Sequence, residues 1–405
     1  MATPHVIQFN LPSSEQPSTP AESALRNGRI QQLDVLRGLA IVLVLVAHTE
    51  LFLAPGQVAP LGFDFLSRFG WAGVDLFFVL SGYLIGRLLF QEIRETKQLS
   101  IGRFLSRRAW KIWPPYFALI AFYVCREHYV GMNWAEIAEA YWPNLLQVQN
   151  YRLTPAALTW SLAVEEHFYC LLPIVLWMYL RSSAMSSLPI GGLAILGAVL
   201  VYRSLLTIWW PHPYSLQRDY TPTHLRIDSL LFGVLLSYAA TFHQARFLAF
   251  AHRWHRSLAL GGLTLISPMF ILSQSDRFVY TVGYTLLYLG FGMLMLAMLS
   301  VTPSHSGLLA SAVRSGPSKL LASIGQYSYS IYLWHFQLGI FPVTSNRFNR
   351  FVSEYTLTGQ FFIRSIAFLL FAIGAGVVMY FVIERPTLAV RNWVTPRRPV
   401  QATIL

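Results

Sequence analysis

Long apolar runs separated by short polar stretches make up the chain from residue 33 onward. Ten runs come close to the ~20 residues a helix needs to cross a bilayer. They lie at roughly 36–54, 70–90, 113–130, 158–180, 188–210, 226–243, 257–273, 279–301, 321–341 and 361–383. The third ends on Arg126 and Glu127, and the sixth is short. This pattern predicts an all-α integral membrane protein with about ten transmembrane helices. No repeat of 20–50 residues is visible, so neither a solenoid nor an inverted-repeat transporter is signalled.

One polar stretch has a period of its own. In "SIGRFLSRRAWKIWPPY" (residues 100–116), Ile101, Phe104, Leu105, Ala109 and Ile112 recur at helical spacing. Arg103, Arg107 and Lys111 fall on another face, with Arg108 beside them, and Ser100 stands where an N-cap would. This predicts a basic amphipathic helix on the cytoplasmic membrane surface, ended by Pro114 and Pro115. Such a helix serves either as an anchor on anionic lipid or as a site for a phosphate-bearing ligand.

Composition agrees with the pattern. Hydrophobic residues make up 55% of the 405 positions and charged residues 12%, where a soluble domain carries about 25% charged residues. The net charge of +12 would suggest nucleic acid in a soluble protein. Here it reads as topology, because Lys and Arg concentrate in cytoplasmic loops. Ten spans place both termini on one side. That side holds eighteen of the Lys and Arg residues, while the opposite loops hold Arg68, Arg126, Arg152, Arg218, Arg277, Arg347 and Arg350. Both termini are therefore expected in the cytoplasm, with the chain in the inner (plasma) membrane. Residues 1–32, rich in Ser and Pro and without a signal-peptide core, read as a disordered cytoplasmic tail. Residues 387–405 read as a cytoplasmic C-terminal tail. Cys125 and Cys170 lie in apolar blocks and read as packing residues, not as a disulfide framework or metal site.

Ionisable side chains inside spans cost about 2.5–3.5 kcal/mol each on insertion scales, so each needs a reason. Arg37 and His48 are eleven residues apart, about 20° past three helical turns, which puts them on one face roughly 16 Å apart. Each has an ordinary role open to it, Arg37 as a snorkelling anchor and His48 as a hydrogen-bonded core residue. Together they also suggest a polar line from the cytoplasm into the bilayer. Asp75 needs a partner within the bundle: His48, which it would orient, or a cation on another span. In "LTWSLAVEEHFY", Ser161 and Glu165 share a helix face beside Trp160, with Glu166 and His167 next to them. Arg226 and Asp228 are expected to compensate each other. "GQYSYSIYLWH" carries a polar aromatic face ending in His335, and "ERP" (384–386) closes the last span. There is no GxSxG, P-loop, HExxH or Cys/His metal spacing.

Taken together, these stretches resemble the membrane acyltransferase type-three family, which acylates sugars and related hydroxyl compounds. The resemblance covers about residues 33–386. It rests on Arg37-x10-His48, "GWAGVDLFFVLSGYLI" (70–85), "RRAWKIWPPY" (107–116), "WSLAVEEHFY" (160–169), "RIDSLLFG" (226–233), "SIGQYSYSIYLWH" (323–335) and "ERP" (384–386). Two positions depart from the family pattern. Lys111 replaces a third arginine and loses its bidentate fork, and His167 stands where glutamine is common. Some members add an extracytoplasmic hydrolase-like domain. This chain is expected to carry none, so that transfer would be completed by the membrane domain or by a partner.

The resemblance implies acyl-CoA, with acetyl-CoA the default, as co-substrate, and a hydroxyl acceptor such as a glycan. No permanently bound cofactor, metal or nucleic acid is expected. His48 would be the general base, oriented by Asp75 or Glu165. Arg37, Arg107, Arg108 and Lys111 would hold the donor's phosphates. Trp160, Ser161, Arg226 and His335 complete the expected binding set. The competing classes are a transporter or acyl-group translocator, whose pathways also contain buried charges, and a non-catalytic partner in polysaccharide assembly.

Overall fold

A computed structural model describes residues 30–57, 60, 62–182, 184–210, 212–301 and 308–396. Residues 1–29 and 397–405 of the two expected tails lie outside it. The described chain is helical throughout, with no strand among the described residues. The longer helices are α1 (Gln31–Ala47), α2 (Phe63–Phe69), α3 (Gly73–Thr96), α4 (Ile101–Tyr129), α5 (Trp134–Leu145), α6 (Trp160–Arg181), α7 (Leu188–Trp209), α8 (Thr223–Phe242), α9 (Gln244–Ile266) and α10 (Tyr284–Leu299). They are followed by α11 (Leu308–Arg314), α12 (Gly316–Gln326), α13 (Ser328–Trp334), α14 (Phe341–Thr344), α15 (Asn346–Val352), α16 (Leu357–Met379) and α17 (Arg385–Val394). The C-terminal segment thus continues as a helix beyond residue 386.

Seven helical stretches are long and apolar enough to cross a membrane: Gln31–Phe52, Phe63–Thr96, Ala157–Arg181, Met185–Trp209, Thr223–Phe242, Val279–Leu299 and Leu357–Val394. The other three expected spans are helical but differ from a plain apolar rod, each for a local reason. The first half of α4 is basic. The first half of α9 carries Arg246, Arg253 and Arg256. The expected span 321–341 is divided into α12, α13 and a π-helical turn, His335–Ile340.

The basic amphipathic helix and the third expected span are one helix. Pro114 and Pro115 lie inside α4 and do not end it. A proline frees the carbonyl one turn before it and bends the helix, and membrane helices tolerate this where neighbours supply donors. The carbonyls left without their i+4 donors are those of Trp110 and Lys111, and on the next residue the Tyr329 hydroxyl donates to the Ile112 carbonyl (2.7 Å).

The chain divides into two compact units. One comprises residues up to Val44, Phe65–Leu99 and Ser161–Gln326; the other comprises Leu45–Asp64, Ser100–Trp160 and Tyr327 onward. In the first unit α3 is buried over most of its circumference, including Leu76, Phe78, Val79, Tyr83 and Phe90. Two glycines allow it to lie against α8. A Cβ on Gly82 would sit 1.9 Å from the Leu230 carbonyl oxygen, and one on Gly233 would sit 2.2 Å from that of Val79. Small residues allow this close backbone approach between helices that have little else to drive them together in lipid. In the second unit, α16 packs on the π turn, with Gly339 against Phe368 and Ala372. A reciprocal capping box starts α5: Asn133 accepts from the Glu136 N–H, and Glu136 accepts from the Asn133 N–H.

Apolar side chains also face outward, among them Ile190, Leu193 and Ile208 on α7 and Leu370 and Val378 on α16. In water that surface would be a liability; in lipid it is the expected exterior. Cys125 and Cys170 are unbridged and exposed on their helices, so they do not pack the interior as expected.

Candidate active site

The second unit brings two histidines together. The α-helical part of α1 stops at Ala47, and His48 opens a single 3-10 turn, His48–Phe52. His335 opens the π turn after α13, and such turns are frequent at functional sites. Their ring centroids are 5.0 Å apart with the planes at 62°. His48 is half-buried and His335 is 1% exposed. The Nδ1 of His335 lies 2.7 Å from the Tyr332 carbonyl. A carbonyl oxygen only accepts, so Nδ1 carries the proton and donates. That leaves Nε2 as the acceptor nitrogen, without a hydrogen-bond partner among the described residues.

Aromatic rings surround this pair. Phe336 meets His48 edge-on at 6.0 Å, and Tyr332 lies 5.8 Å from His335. The Tyr332 hydroxyl donates to the Leu158 carbonyl (2.8 Å), which ties α13 to the turn before α6. Glu384 of the "ERP" motif is buried and accepts from Ser330 on α13 (2.6 Å). His48, the stretch 327–335 and Glu384 therefore converge within this unit.

The first unit holds the charged residues of the spans, in pairs other than those expected. Asp75 on α3 pairs with Arg226 on α8, both fully buried. Asp228 pairs with Arg203 on α7 (2.7 Å), and Arg203 also donates to Thr285 Oγ1 (2.7 Å) and to the Leu225 carbonyl (3.0 Å). The expected Arg226–Asp228 pair is thus replaced by two pairs between helices. The reason is angular: residues two apart on a helix point about 200° apart and do not face each other. Of the two kinds of partner open to Asp75, the structure supplies the cation on another helix. The Arg226 guanidinium also lies 4.1 Å from the ring centre of Tyr284 and 4.7 Å from that of Tyr220. Nothing in the sequence singles out those two tyrosines.

Glu165 accepts from the Ser81 hydroxyl of α3 (2.9 Å) and from the Tyr169 hydroxyl one turn further along α6. Its carboxylate is therefore fixed. Ser161 and Trp160 are both buried at the start of α6. His167 Nδ1 lies 2.7 Å from Thr223 Oγ1. Arg37 is 3.6 Å from Asp34, an acid one turn earlier that the sequence reading passed over. On α4, Arg107 donates to the Thr395 carbonyl and Arg108 lies over the Phe104 ring at 5.9 Å. Lys111 is half-buried on the same helix.

The sequence reading also missed a buried polar cluster around the turn into α6. Asn144 Nδ2 donates to the Tyr116 hydroxyl (3.3 Å) and to Thr159 Oγ1 (3.2 Å), and Gln149 Nε2 donates to the Thr159 carbonyl (3.0 Å). The available signal was the amide-rich run "NLLQVQN" (144–150) between two apolar blocks.

A family model described as acyltransferase domain matches residues 30–383. The O-acetyltransferase OatA of Staphylococcus aureus (strain NCTC 8325 / PS 47) is 28% identical over 384 residues, which is 87% of this chain and 56% of that protein. The peptidoglycan O-acetyltransferase OatA of Listeria monocytogenes is 28% identical over 334 residues, 76% of this chain and 49% of that protein. The chain spans about half the length of these curated relatives. No solved structure matches it.

Proposed function

The chain belongs to the acyltransferase-domain family, and on that footing we propose that it is a multi-pass membrane O-acyltransferase of saccharides. In this reading it moves an acyl group, acetyl by default, from cytosolic acyl-CoA to a hydroxyl of a glycan. It sits in the plasma membrane with both termini cytoplasmic. The relatives' names support the acetyl and glycan assignments.

The observation that carries the reading is the His48–His335 contact. Acyl transfer to an alcohol needs a base for the hydroxyl proton and donors for the tetrahedral oxyanion. His48 is the base in this scheme. His335, held in one tautomer by the Tyr332 carbonyl, keeps the His48 ring in place from a buried position. Glu165, fixed by Ser81 and Tyr169, is the carboxylate that Trp160 and Ser161 accompany at the start of α6. Asp75 and Arg226 brace α3 against α8 and act through position. Arg107, Arg108 and Lys111 form the cationic set of α4 for the donor's phosphates, with Arg107 and Arg108 offering planar bidentate forks, and Arg37 is assigned to the phosphates as a further cation. The thioester carbonyl is attacked directly by the acceptor oxygen; CoA leaves as the thiol after receiving the proton that His48 took up.

The test uses purified protein in detergent. Acetyl-CoA binding and turnover are measured for wild type, His48→Ala and Arg107→Ala/Arg108→Ala. Retained binding with lost turnover in the histidine variant, and weakened binding in the arginine variant, are the expected results. Full turnover by His48→Ala removes the base assignment. If wild type neither binds nor consumes acetyl-CoA, the enzyme reading falls and transport takes its place.

A further inference from the structure

The segment 133–160 of the second unit contains a concentration of unmet hydrogen-bonding capacity. Tyr141 OH, Asn144 Oδ1, both ends of the Gln147 amide, Gln149 Oε1 and Thr154 Oγ1 are buried without a hydrogen-bond partner among the described residues. Buried polar groups are nearly always paired, so a run of exceptions calls for a partner from outside the chain.

The orientation of the amides is fixed by their neighbours. Gln149 must present its nitrogen to the Thr159 carbonyl, which leaves its oxygen over. The Tyr116 hydroxyl spends its proton on the Asn144 carbonyl, and the Thr159 hydroxyl spends its own on the Ala156 carbonyl. Both hydroxyls can therefore only accept from Asn144 Nδ2, and Asn144 Oδ1 is left over. Asn144 Oδ1, Gln147 Oε1 and Gln149 Oε1 only accept, while Gln147 Nε2 and the Tyr141 and Thr154 hydroxyls can donate, so the missing partner brings donors as well as acceptors.

An open cleft of about 450 Å³ lies on the same segment, lined by Glu136, Glu139, Arg152 and Thr154 among others. Thr154 belongs to both features: it is buried, its hydroxyl is unmet and it lines the cleft. Arg152 pairs with Glu139 (2.6 Å) and lies over the Trp142 ring at 5.3 Å. A phosphate or carboxylate brings only acceptors and would meet two glutamates, so an anion does not fit. An acyl chain brings no donors. A neutral sugar brings several hydroxyl donors, and an acetamido sugar adds an N–H.

We propose that this cleft, which is walled by Glu136, Glu139 and Arg152 and shares Thr154 with the buried polar cluster, is the seat of the saccharide acceptor. The assignment rests on the glycan reading above and adds to it where the glycan binds and by which groups.

The test is binding of chitotetraose, with cellotetraose as the sugar lacking acetamido groups, to the full chain in detergent, followed by saturation-transfer NMR. Donor binding is measured separately with acetyl-CoA on wild type. Wild type is expected to bind a tetrasaccharide. Thr154→Val, which keeps the side-chain shape, and Glu139→Gln, on the cleft wall, are each expected to weaken it about tenfold, the loss of roughly one hydrogen bond. Thermal melts are compared, so that weakened binding by a folded variant is separated from unfolding. Inorganic phosphate is expected not to compete. If wild type binds neither tetrasaccharide, or folded Thr154→Val and Glu139→Gln bind as wild type does, the proposal is wrong. Saccharide binding without acetyl-CoA binding would remove the donor assignment and leave this one standing; the converse would remove this one alone.

Discussion

Replacing Asp75 by leucine leaves the Arg226 guanidinium buried without its counter-ion. Both side chains are 0% exposed, so water does not reach the charge to compensate. Breaking a buried pair by removing one partner costs about 3–5 kcal/mol. The faces of Tyr284 and Tyr220 stay at 4.1 and 4.7 Å and still attract the cation, worth about 0.5–2 kcal/mol each. They place the expected loss near the lower end, about 3 kcal/mol. At roughly 2–4 °C per kcal/mol for a folding unit of this scale, the unfolding temperature falls by about 6–12 °C. Arg226→Met leaves Asp75 equally exposed to its own burial and falls by a similar amount. The double variant Asp75→Leu/Arg226→Met removes both charges and recovers most of the loss, because a buried pair replaced by apolar side chains is often neutral. The assay is thermal unfolding of the detergent-solubilised protein, followed by far-ultraviolet circular dichroism and tryptophan fluorescence. Single variants that melt with wild type, or a double variant that loses the sum of the two, would refute the brace.

Three further outcomes are expected. Gly82→Leu forces α3 away from α8, since even its Cβ would lie 1.9 Å from the Leu230 carbonyl oxygen; it should lower the melting temperature by at least the cost of overpacking, about 1–3 kcal/mol, and a wild-type melt would contradict the close approach. His335→Phe keeps a ring against His48 but loses the donor to Tyr332; acetyl transfer should fall about a hundredfold in kcat with acetyl-CoA KM little changed, and unchanged kcat would remove His335 from the site. Arg107→Lys and Arg108→Lys keep the charge but lose the fork; the paired change should raise the acetyl-CoA KM about tenfold, and an unaltered KM would mean that charge alone suffices.

Helical periodicity and apolar run length were legible in the chain, because both are properties of neighbouring residues. They gave the all-helical class, the long apolar helices and the basic face of α4. The same information marked Asp75, Glu165, Arg226, His48 and His335 as residues needing a reason, since a charge or an imidazole in an apolar run is expensive wherever the helix goes. Local rules misled where neighbours intervene. Two adjacent prolines read as a helix end, yet α4 continues through them to Tyr129.

The choice of partner was decided only by the tertiary structure. Arg226 and Asp228 are two apart in sequence and opposite in sign, yet each pairs with a residue on another helix. Asp75 lies 151 positions from its arginine, and Tyr329 lies 217 from the carbonyl it meets. Neither His48 nor His335 carries a local mark of the other, and the amide run at 144–150 looks like an ordinary polar loop until its turn is buried. The physical reason is common to all three. A sequence fixes what each side chain costs to bury, while the packing of helices fixes which group stands close enough to offset that cost.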